Sequence, residues 1–150
     1  TMWAYTSSHS QSSYPGLFSK FGSAGNIGWG ILFHDANNKF YIDITSNGTA
    51  ETYIEGGSAI STFTWYFIAA GWDGTTLKCS VNNSAFSTTA FSGPVYNSTA
   101  ALELGSRSTN SARWVGYIDE VAFWNGRCLS AAEVSQIYNS GSGLSYDSWT

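Results

Sequence analysis

GYIDEVAFWNGRCLSAAEVSQIYNSG, residues 116–141, is the stretch that decides the fold of this chain. Its first half is rich in β-branched and aromatic residues, which is typical of a strand. In its second half, Ser130 is followed three residues later by Glu133, the spacing of a capping box, and Leu129 and Val134 are placed as a hydrophobic staple. The stretch therefore predicts a strand that leads into one short amphipathic helix.

Two adjacent carboxylates, Asp119 and Glu120, lie in the strand part of this stretch. Ile118 and Val121 flank them, and a bulge near the carboxylates would let both of these apolar residues face the core. Adjacent side chains of a regular strand point to opposite faces, whereas glycosidases hold two carboxyls facing each other about 5 to 9.5 Å apart. The pattern favours outward or rim positions, in which the two carboxylates accept backbone N–H groups beside the docked helix.

Strand signals dominate the rest of the chain, because short β-branched and aromatic runs alternate with Gly, Asn, Asp and Ser. Strands are predicted at 2–6, 16–20, 27–34, 39–45, 49–55, 64–72, 75–82, 100–105 and 114–124. Strands at this spacing, with no helix between them, predict an all-β antiparallel sandwich of two sheets, of the jelly-roll type. We expect a single domain over residues 1–150, with one short C-terminal helix.

Composition limits the partners of the chain. Only 11% of the residues are charged, the net charge is −4, and no basic cluster occurs. Nucleic acid is therefore not an expected partner, since a phosphate backbone needs clustered Lys or Arg. No apolar run approaches the ~20 residues that span a bilayer, so membrane insertion is not expected. A surface rich in Ser, Thr, Gly and Asn is typical of extracellular, cell-surface and virion proteins.

The two cysteines, Cys79 and Cys128, lie where apolar residues would serve equally well. Burial as two small hydrophobic side chains is the favoured interpretation, because free cysteine is among the most buried residue types. A disulfide between them is the alternative, which requires a close approach of their Cα atoms.

The opening stretch resembles the terminal signature of laminin-G-like, concanavalin A-like sandwich domains, an ending that pentraxins share. That signature is a Gly-x-Ile-Asp-Glu-Val strand, a tryptophan and a Leu-Ser-x-x-Glu helix, and here it consists of Gly116, Ile118, Asp119, Glu120, Val121, Trp124, Leu129, Ser130 and Glu133. TMWAYT, GLFSK and TWYFIAAGWDGTTLKCSVNN resemble earlier strands of the family in the same order. The family usually has further strand sequence before TMW, so we expect an excerpt that lacks N-terminal strands or belongs to a longer chain.

The resemblance extends to glycoside hydrolases, whose catalytic strand presents Glu-x-Asp-x-x-Glu with three acids on one face. No such run occurs here. Glu51 and Glu55 share a strand face but have no acid between them, and exposed strand carboxylates are the favoured interpretation. His9 and His34 lie in loop and turn sequences, where we expect solvated side chains, and neither belongs to a nucleophile motif. The sequence predicts a protein that is not an enzyme.

Ligands of the resembling family commonly bind at the loop-bearing rim or on the concave sheet, often through calcium. The pentraxin calcium loops match residues 21–26 and 105–113, which contain no carboxylate, and the second loop contains two arginines. A double calcium site is therefore not expected. Asp35 with Asn37, or Asp73, could still help to hold a single calcium ion, and turn chemistry is the alternative for all three. No other cofactor is expected.

The same two loops suggest a glycan site if they are neighbours, as they are in the family. Amide and guanidinium groups hydrogen-bond sugar hydroxyls, an exposed indole stacks on the C–H face of a sugar, and arginine favours an acidic glycan. The residues with this chemistry are Asn26, Arg107, Asn110, Arg113 and Trp114. The alternative is an ordinary polar loop with Trp114 half-buried.

We therefore predict an extracellular, non-catalytic module that binds a glycan or a glycoprotein surface. Tyr5, Tyr14 and Trp149 are weaker candidates for contacts with such a ligand. The alternative is a structural or adhesive domain of a virion or of a cell-surface appendage, which packs against other protein subunits of a larger assembly.

Overall fold

The computed structural model describes residues 1–11, 13–108, 112–145 and 148. Two of the candidate residues, Asn110 and Trp149, lie outside this part of the chain. The strands are β1 (Met2–Thr6), β2 (Gly16–Phe21), β3 (Ile27–His34), β4 (Lys39–Thr45), β5 (Glu51–Gly56), β6 (Thr64–Trp72), β7 (Thr76–Val81), β8 (Ser87–Ala90), β9 (Glu103–Leu104) and β10 (Tyr117–Asp119). Helix α1 (Ala131–Tyr138) follows, with a 3-10 turn at Asn139–Gly141.

The described strands form two antiparallel five-stranded sheets, which confirms the predicted sandwich. Sheet A has the order β10-β1-β6-β7-β8, and sheet B has the order β5-β4-β3-β2-β9. The prediction missed β8, whose sequence STTA lacks apolar alternation. It also made β9 and β10 too long, because β10 ends where Glu120 adopts a left-handed conformation with φ of 47°.

The core lies between the sheets and is built from alternate residues of each strand. Phe33 and Phe40 from sheet B meet Met2, Ala4 and Ile68 from sheet A, and all five side chains are fully buried. Burial of large apolar side chains supplies the main favourable term in folding. This core therefore fixes which residues of each strand point inward and which point outward.

Helix α1 docks on the outer face of sheet A. Its buried residues Val134 and Ile137 pack against Phe67 and Ala69 of β6. The capping box is present as predicted, because the backbone N–H of Glu133 donates to Ser130 Oγ (3.3 Å) and that of Ser130 donates to Glu133 Oε2 (2.8 Å). The helix ends at residue 139, which is left-handed.

The carboxylates of the signature strand lie outward, and the strand is shorter than expected because it ends at Asp119. Ile118 and Val121 both pack against the core. Asp119 and Glu120 are exposed, and Asp119 Oδ1 accepts the backbone N–H of Glu120 (2.8 Å). A side chain at Gly116 would overlap the carbonyl oxygen of Tyr5, so this glycine allows β10 to approach β1. The remaining signature residues, Trp124 and Leu129, pack against the helix cluster.

Both cysteines are free thiols. Cys79 is buried, and burial raises the pKa of its thiol to about 12, while Cys128 is half-buried. The interpretation as small apolar side chains is therefore the one that fits. In the described part of the chain, no helix has the length and apolar character needed to cross a membrane.

Removal of the helix cap is expected to destabilise the fold measurably. Ser130→Ala leaves the N–H of Glu133 without its partner, and this change should lower the free energy of unfolding by about 1 kcal/mol in urea titrations. Ser92→Ala, at an exposed loop position, is the matched control and should change it by less than about 0.5 kcal/mol. Equal effects of the two changes would show that the capping box does not stabilise α1.

Candidate functional site

The two loops suggested by the sequence are neighbours. The N–H of Ser108 donates to the carbonyl oxygen of Phe21 (3.0 Å), and the N–H of Gly22 donates to that of Asn26 (3.1 Å). The side chain of Asn26 is already engaged, since its Oδ1 accepts the N–H of Thr99 (2.9 Å) and the Ser98 hydroxyl (3.0 Å). Asn26 therefore ties this loop to the segment before β9.

Trp114 does not offer an exposed indole to a ligand. Only 7% of it is exposed, and its ring packs against Phe33 (5.5 Å between centroids) and Phe40 (5.8 Å) in the core. Its indole Nε1 donates to the carbonyl oxygen of Tyr117 (3.4 Å). The expectation of sugar stacking at Trp114 is corrected, because the tryptophan fills the gap between the sheets. Arg113, the preceding residue, is exposed.

Arg107 lies over the outer face of sheet B, where it is held from several sides. Its Nε donates to the carbonyl oxygen of Tyr14 (2.6 Å), and Nη2 donates to that of Ser13 (3.4 Å). The guanidinium lies 5.0 Å from the ring centroid of Phe21 and 5.9 Å from that of Tyr14. Arg107 therefore fastens the segment before β2 to the sheet, as hydrogen bonding and cation–π contacts allow.

A buried carboxyl, Asp43, lies on the same outer face of sheet B. Asp43 is 1% exposed, and in the described part of the chain its Oδ1 has no hydrogen-bond partner. Burial, followed by a hydrogen bond and charge repulsion from Glu51, raises the pKa of Asp43 to about 8. The carboxyl of Asp43 therefore lies within hydrogen-bond reach of the carboxyl of Glu51. Because they are in direct contact, they lack the separation of a glycosidase pair.

The candidate calcium ligands belong to turns. Asp73 Oδ1 accepts the N–H groups of Thr75 (3.1 Å) and Thr76 (2.8 Å), and Oδ2 pairs with Lys78 (2.6 Å). The bonds from Lys78 and from these N–H groups hold the pKa of Asp73 well below its usual range. Asp73 connects β6 to β7, so it lies in a different turn from Asp35.

The turn between β3 and β4 contains the other two candidates, Asp35 and Asn37. Asn37 donates from its side-chain amide to Glu55, which also contacts His34 (2.7 Å) and Lys39 (3.5 Å). Across the described residues, no group of three His, Cys, Asp or Glu side chains is placed to hold a metal ion.

The expectation of two solvated histidines is corrected. His34 ends β3 and contacts Glu55 rather than lying free in a turn. The ring of His9 is half-buried beside Phe33, with 6.2 Å between the ring centroids. Both side chains are thus held by packing or hydrogen bonding against sheet B.

An aromatic platform that the sequence did not reveal lies on the outer face of sheet A. Tyr5 is paired directly with Trp65 on β6 and with Tyr117 on β10. The three ring centroids are 5.6 Å (Tyr5 to Trp65), 5.6 Å (Tyr5 to Tyr117) and 6.4 Å (Trp65 to Tyr117) apart. Trp65 is 42% exposed and Tyr117 is 66% exposed, so two of the rings face solvent.

Two carboxylates lie beside this platform. A cleft of about 220 Å³ is lined by Trp65, Asp119 and Glu120, by Trp3 and by the turn after α1. Neither carboxylate forms an ion pair with another described residue. Side-chain alternation in TMWAYT and TWYF could have shown which aromatic residues of each strand share a face. Which strands are neighbours, and therefore which rings come into contact, depends on strand pairing that the sequence does not show.

Comparisons with known proteins agree with this architecture. A family model described as "Concanavalin A-like lectin/glucanases superfamily" matches residues 1–135. The heptameric SAP-like pentraxin of Limulus polyphemus has a similar structure, with a TM-score of 0.66 and 16% identity over 95% of this chain and 69% of the pentraxin chain. The CBM40 of the Ruminococcus gnavus IT-sialidase, solved with α2,3-sialyllactose, is also similar. Its TM-score is 0.63, with 10% identity over 91% of this chain and 79% of the CBM40 chain. No curated protein sequence matches.

The buried carboxyl on sheet B predicts a pH dependence of stability. Between pH about 4 and about 8, folded Asp43 keeps a proton that the unfolded chain releases, so its contribution to stability is lost as pH rises. An asparagine at this position cannot lose a proton, so the free energy of unfolding of Asp43→Asn relative to the parent should increase by at least about 1 kcal/mol from pH 5 to pH 8. Urea titrations at the two pH values measure this difference. A constant difference between variant and parent would contradict the raised pKa.

Proposed function

The chain belongs to the concanavalin A-like lectin/glucanases superfamily, and we propose that it is a non-catalytic module that binds carbohydrate on the outer face of sheet A. The observation that carries this proposal is the aromatic platform of Tyr5, Trp65 and Tyr117. Exposed aromatic rings bury large apolar areas, and the C–H face of a sugar ring offers a matching apolar surface. Strand pairing holds the three rings in place before a ligand arrives, which lowers the entropy cost of binding.

The carboxylates beside the platform suit a neutral sugar. Asp119 and Glu120 supply acceptors for sugar hydroxyls next to Trp65, and charged acceptors form the stronger class of hydrogen bond. An acidic sugar would meet like charge at this cleft, and the chain as a whole has a net charge of −4. The ligand that fits best is therefore a neutral oligosaccharide.

The structural relatives support carbohydrate as the class of ligand. The CBM40 of the Ruminococcus gnavus IT-sialidase has the same fold and was solved with α2,3-sialyllactose. Its acidic ligand is not part of the proposal, because the arginine that would suit it, Arg107, is held over sheet B by Tyr14 and Phe21. An extracellular location is part of the proposal and is supported by a surface with few charged residues.

The arrangement of the carboxyls supports a non-catalytic role. Asp43 and Glu51 are in direct contact, and Asp119 and Glu120 are adjacent in the chain at the end of β10. Neither pair leaves room for a sugar between its members, as a glycosidase requires. Binding without hydrolysis is therefore the chemistry that the described residues favour.

A structural or adhesive role is the second candidate, and Phe63 is the observation that favours it. This residue precedes β6, is 69% exposed and has a φ of 60°, which is an unusual conformation for a bulky side chain. Phe63 and the exposed Val115 are both hydrogen-bonded to Thr6, the residue after Tyr5: the N–H of Phe63 donates to the carbonyl oxygen of Thr6 (2.7 Å), and the hydroxyl of Thr6 donates to that of Val115 (2.7 Å). Exposed apolar patches of this kind also mark protein–protein interfaces.

Loss of either exposed platform ring should weaken sugar binding. Trp65→Ala and Tyr117→Ala are each expected to weaken binding of a neutral oligosaccharide at least about tenfold, or ~1.4 kcal/mol, in calorimetric titrations of ligands found on a glycan array. Tyr53→Ala, at an exposed tyrosine on the outer face of sheet B, is the matched control and should leave the affinity unchanged.

The same variants separate the two candidate functions. Binding only to acidic glycans, lost in Tyr53→Ala and kept in Trp65→Ala, would overturn the proposed site. No binding on the array, combined with a stable oligomer that Phe63→Ala dissociates, would support the structural role instead. Phe63→Ala should leave sugar affinity unchanged if the platform is the binding site.

A further inference from the structure

Strand register arranges the outer face of sheet A in successive rows. The first row consists of Asp119, Trp3 and Phe67, which are direct partners across β10, β1 and β6. The second row is the aromatic platform, which lies two residues further along β1. Because alternate residues of a strand share a face, the two rows are about 7 Å apart on the same surface.

Two exposed apolar side chains lie beyond the platform, at the end of β1. Phe63 and Val115 each come two positions before a platform residue, Trp65 and Tyr117 respectively. Their hydrogen bonds to Thr6 attach both of them to the end of β1. Phe63 is 69% exposed and Val115 is 50% exposed. We call Phe63 and Val115 the apolar end of the platform.

The apolar end is held in place by neighbouring hydrogen bonds. Phe63 has a left-handed φ of 60°, which is unfavourable for a bulky side chain, yet its ring is exposed rather than packed. The preceding segment is fixed by the N–H of Ser61, which donates to the hydroxyl of Tyr66 (2.8 Å). The N–H of Val115 donates to Gln11 Oε1 (2.9 Å). A surface that is ordered before binding lowers the entropy cost of binding.

Polarity changes along this face of the sheet. The first row adjoins the cleft that is lined by the carboxylates of Asp119 and Glu120. Its Trp3 ring stacks on Tyr138 (5.9 Å between centroids), so the helix covers that part of the face. The platform lies between the cleft and the apolar end. A ligand that spans the face therefore needs hydroxyl groups at one end, a C–H face in the middle and an apolar group at the other end.

We propose that the ligand is a neutral glycoside with an apolar aglycone, which is one aryl or short alkyl group joined to the sugar. This inference rests on the proposed function, because the sugar occupies the platform, and it adds the group that the apolar end receives. Phe63 and Val115 contact the aglycone, while Asp119 and Glu120 accept hydrogen bonds from hydroxyls at the opposite end. Two residues of extended chain span about 7 Å, so a group attached directly to the sugar over Trp65 reaches the apolar end.

The size and charge of the surface favour a free glycoside over a protein or a membrane. Two exposed side chains match one small apolar group, whereas a stable protein interface buries about 800 Å² on each partner. The carboxylates beside the platform and the net charge of −4 oppose attraction to an anionic bilayer.

The test compares the methyl and phenyl glycosides of one neutral oligosaccharide that binds the parent chain on a glycan array. In calorimetric titrations the phenyl glycoside should bind the parent at least about threefold more tightly, as an added aromatic contact allows. Phe63→Gly should remove most of this difference and leave the affinity for the methyl glycoside unchanged. Glycine adopts a φ of 60° without strain, so this variant should keep the fold. Tyr53→Ala, at an exposed tyrosine of sheet B, is the matched control and should keep the difference.

The outcomes separate this proposal from the proposed function. Equal affinities for the two glycosides, both weakened in Trp65→Ala, would overturn the aglycone site and leave the sugar site standing. If no neutral oligosaccharide on the array binds, both are overturned. A difference that persists in Phe63→Gly would overturn the aglycone site alone. So would a stable dimer of the parent that Phe63→Gly converts to a monomer, since a second copy would then cover the ring.

Discussion

The register of β1 between β6 and β10 is the constraint on which the rest of the structure depends. This single strand places Met2 and Ala4 in the core and Tyr5 in the aromatic platform. A slip of one residue would turn Tyr5 inward and Ala4 outward, because side chains alternate along a strand. Gly116 allows β10 to approach closely enough to hold the register from the other side.

The outer faces of the two sheets are used differently. On sheet B, Arg107 fastens the chain over Tyr14 and Phe21, and the buried carboxyl of Asp43 lies on the same face. On sheet A, helix α1 covers Phe67 but stops short of Trp65, which leaves aromatic rings exposed beside two carboxylates. The glycan site is proposed on sheet A, where the helix ends.

Features that depend on neighbouring residues in the sequence could be predicted, and features that depend on residues far apart in the sequence could not. The capped helix at Ser130 and the strand alternation around Phe40 are local patterns, and both were predicted. The platform was not, since Tyr5, Trp65 and Tyr117 are far apart in the sequence and meet only through pairing. Trp114 illustrates the same limit. An indole is suited to stacking on a sugar, but this one is buried in the core between the two sheets.

The proposed glycan site on sheet A is tested most directly by locating the residues that contact a carbohydrate. In an NMR titration with a neutral oligosaccharide, the indole N–H of Trp65 and the backbone amides of Tyr5, Tyr117 and Asp119 should shift together and saturate at one affinity. The amides of β4 and β5 on sheet B should stay unchanged. Shifts confined to sheet B around Tyr53 and Arg107, with Trp65 unaffected, would contradict a glycan site on sheet A.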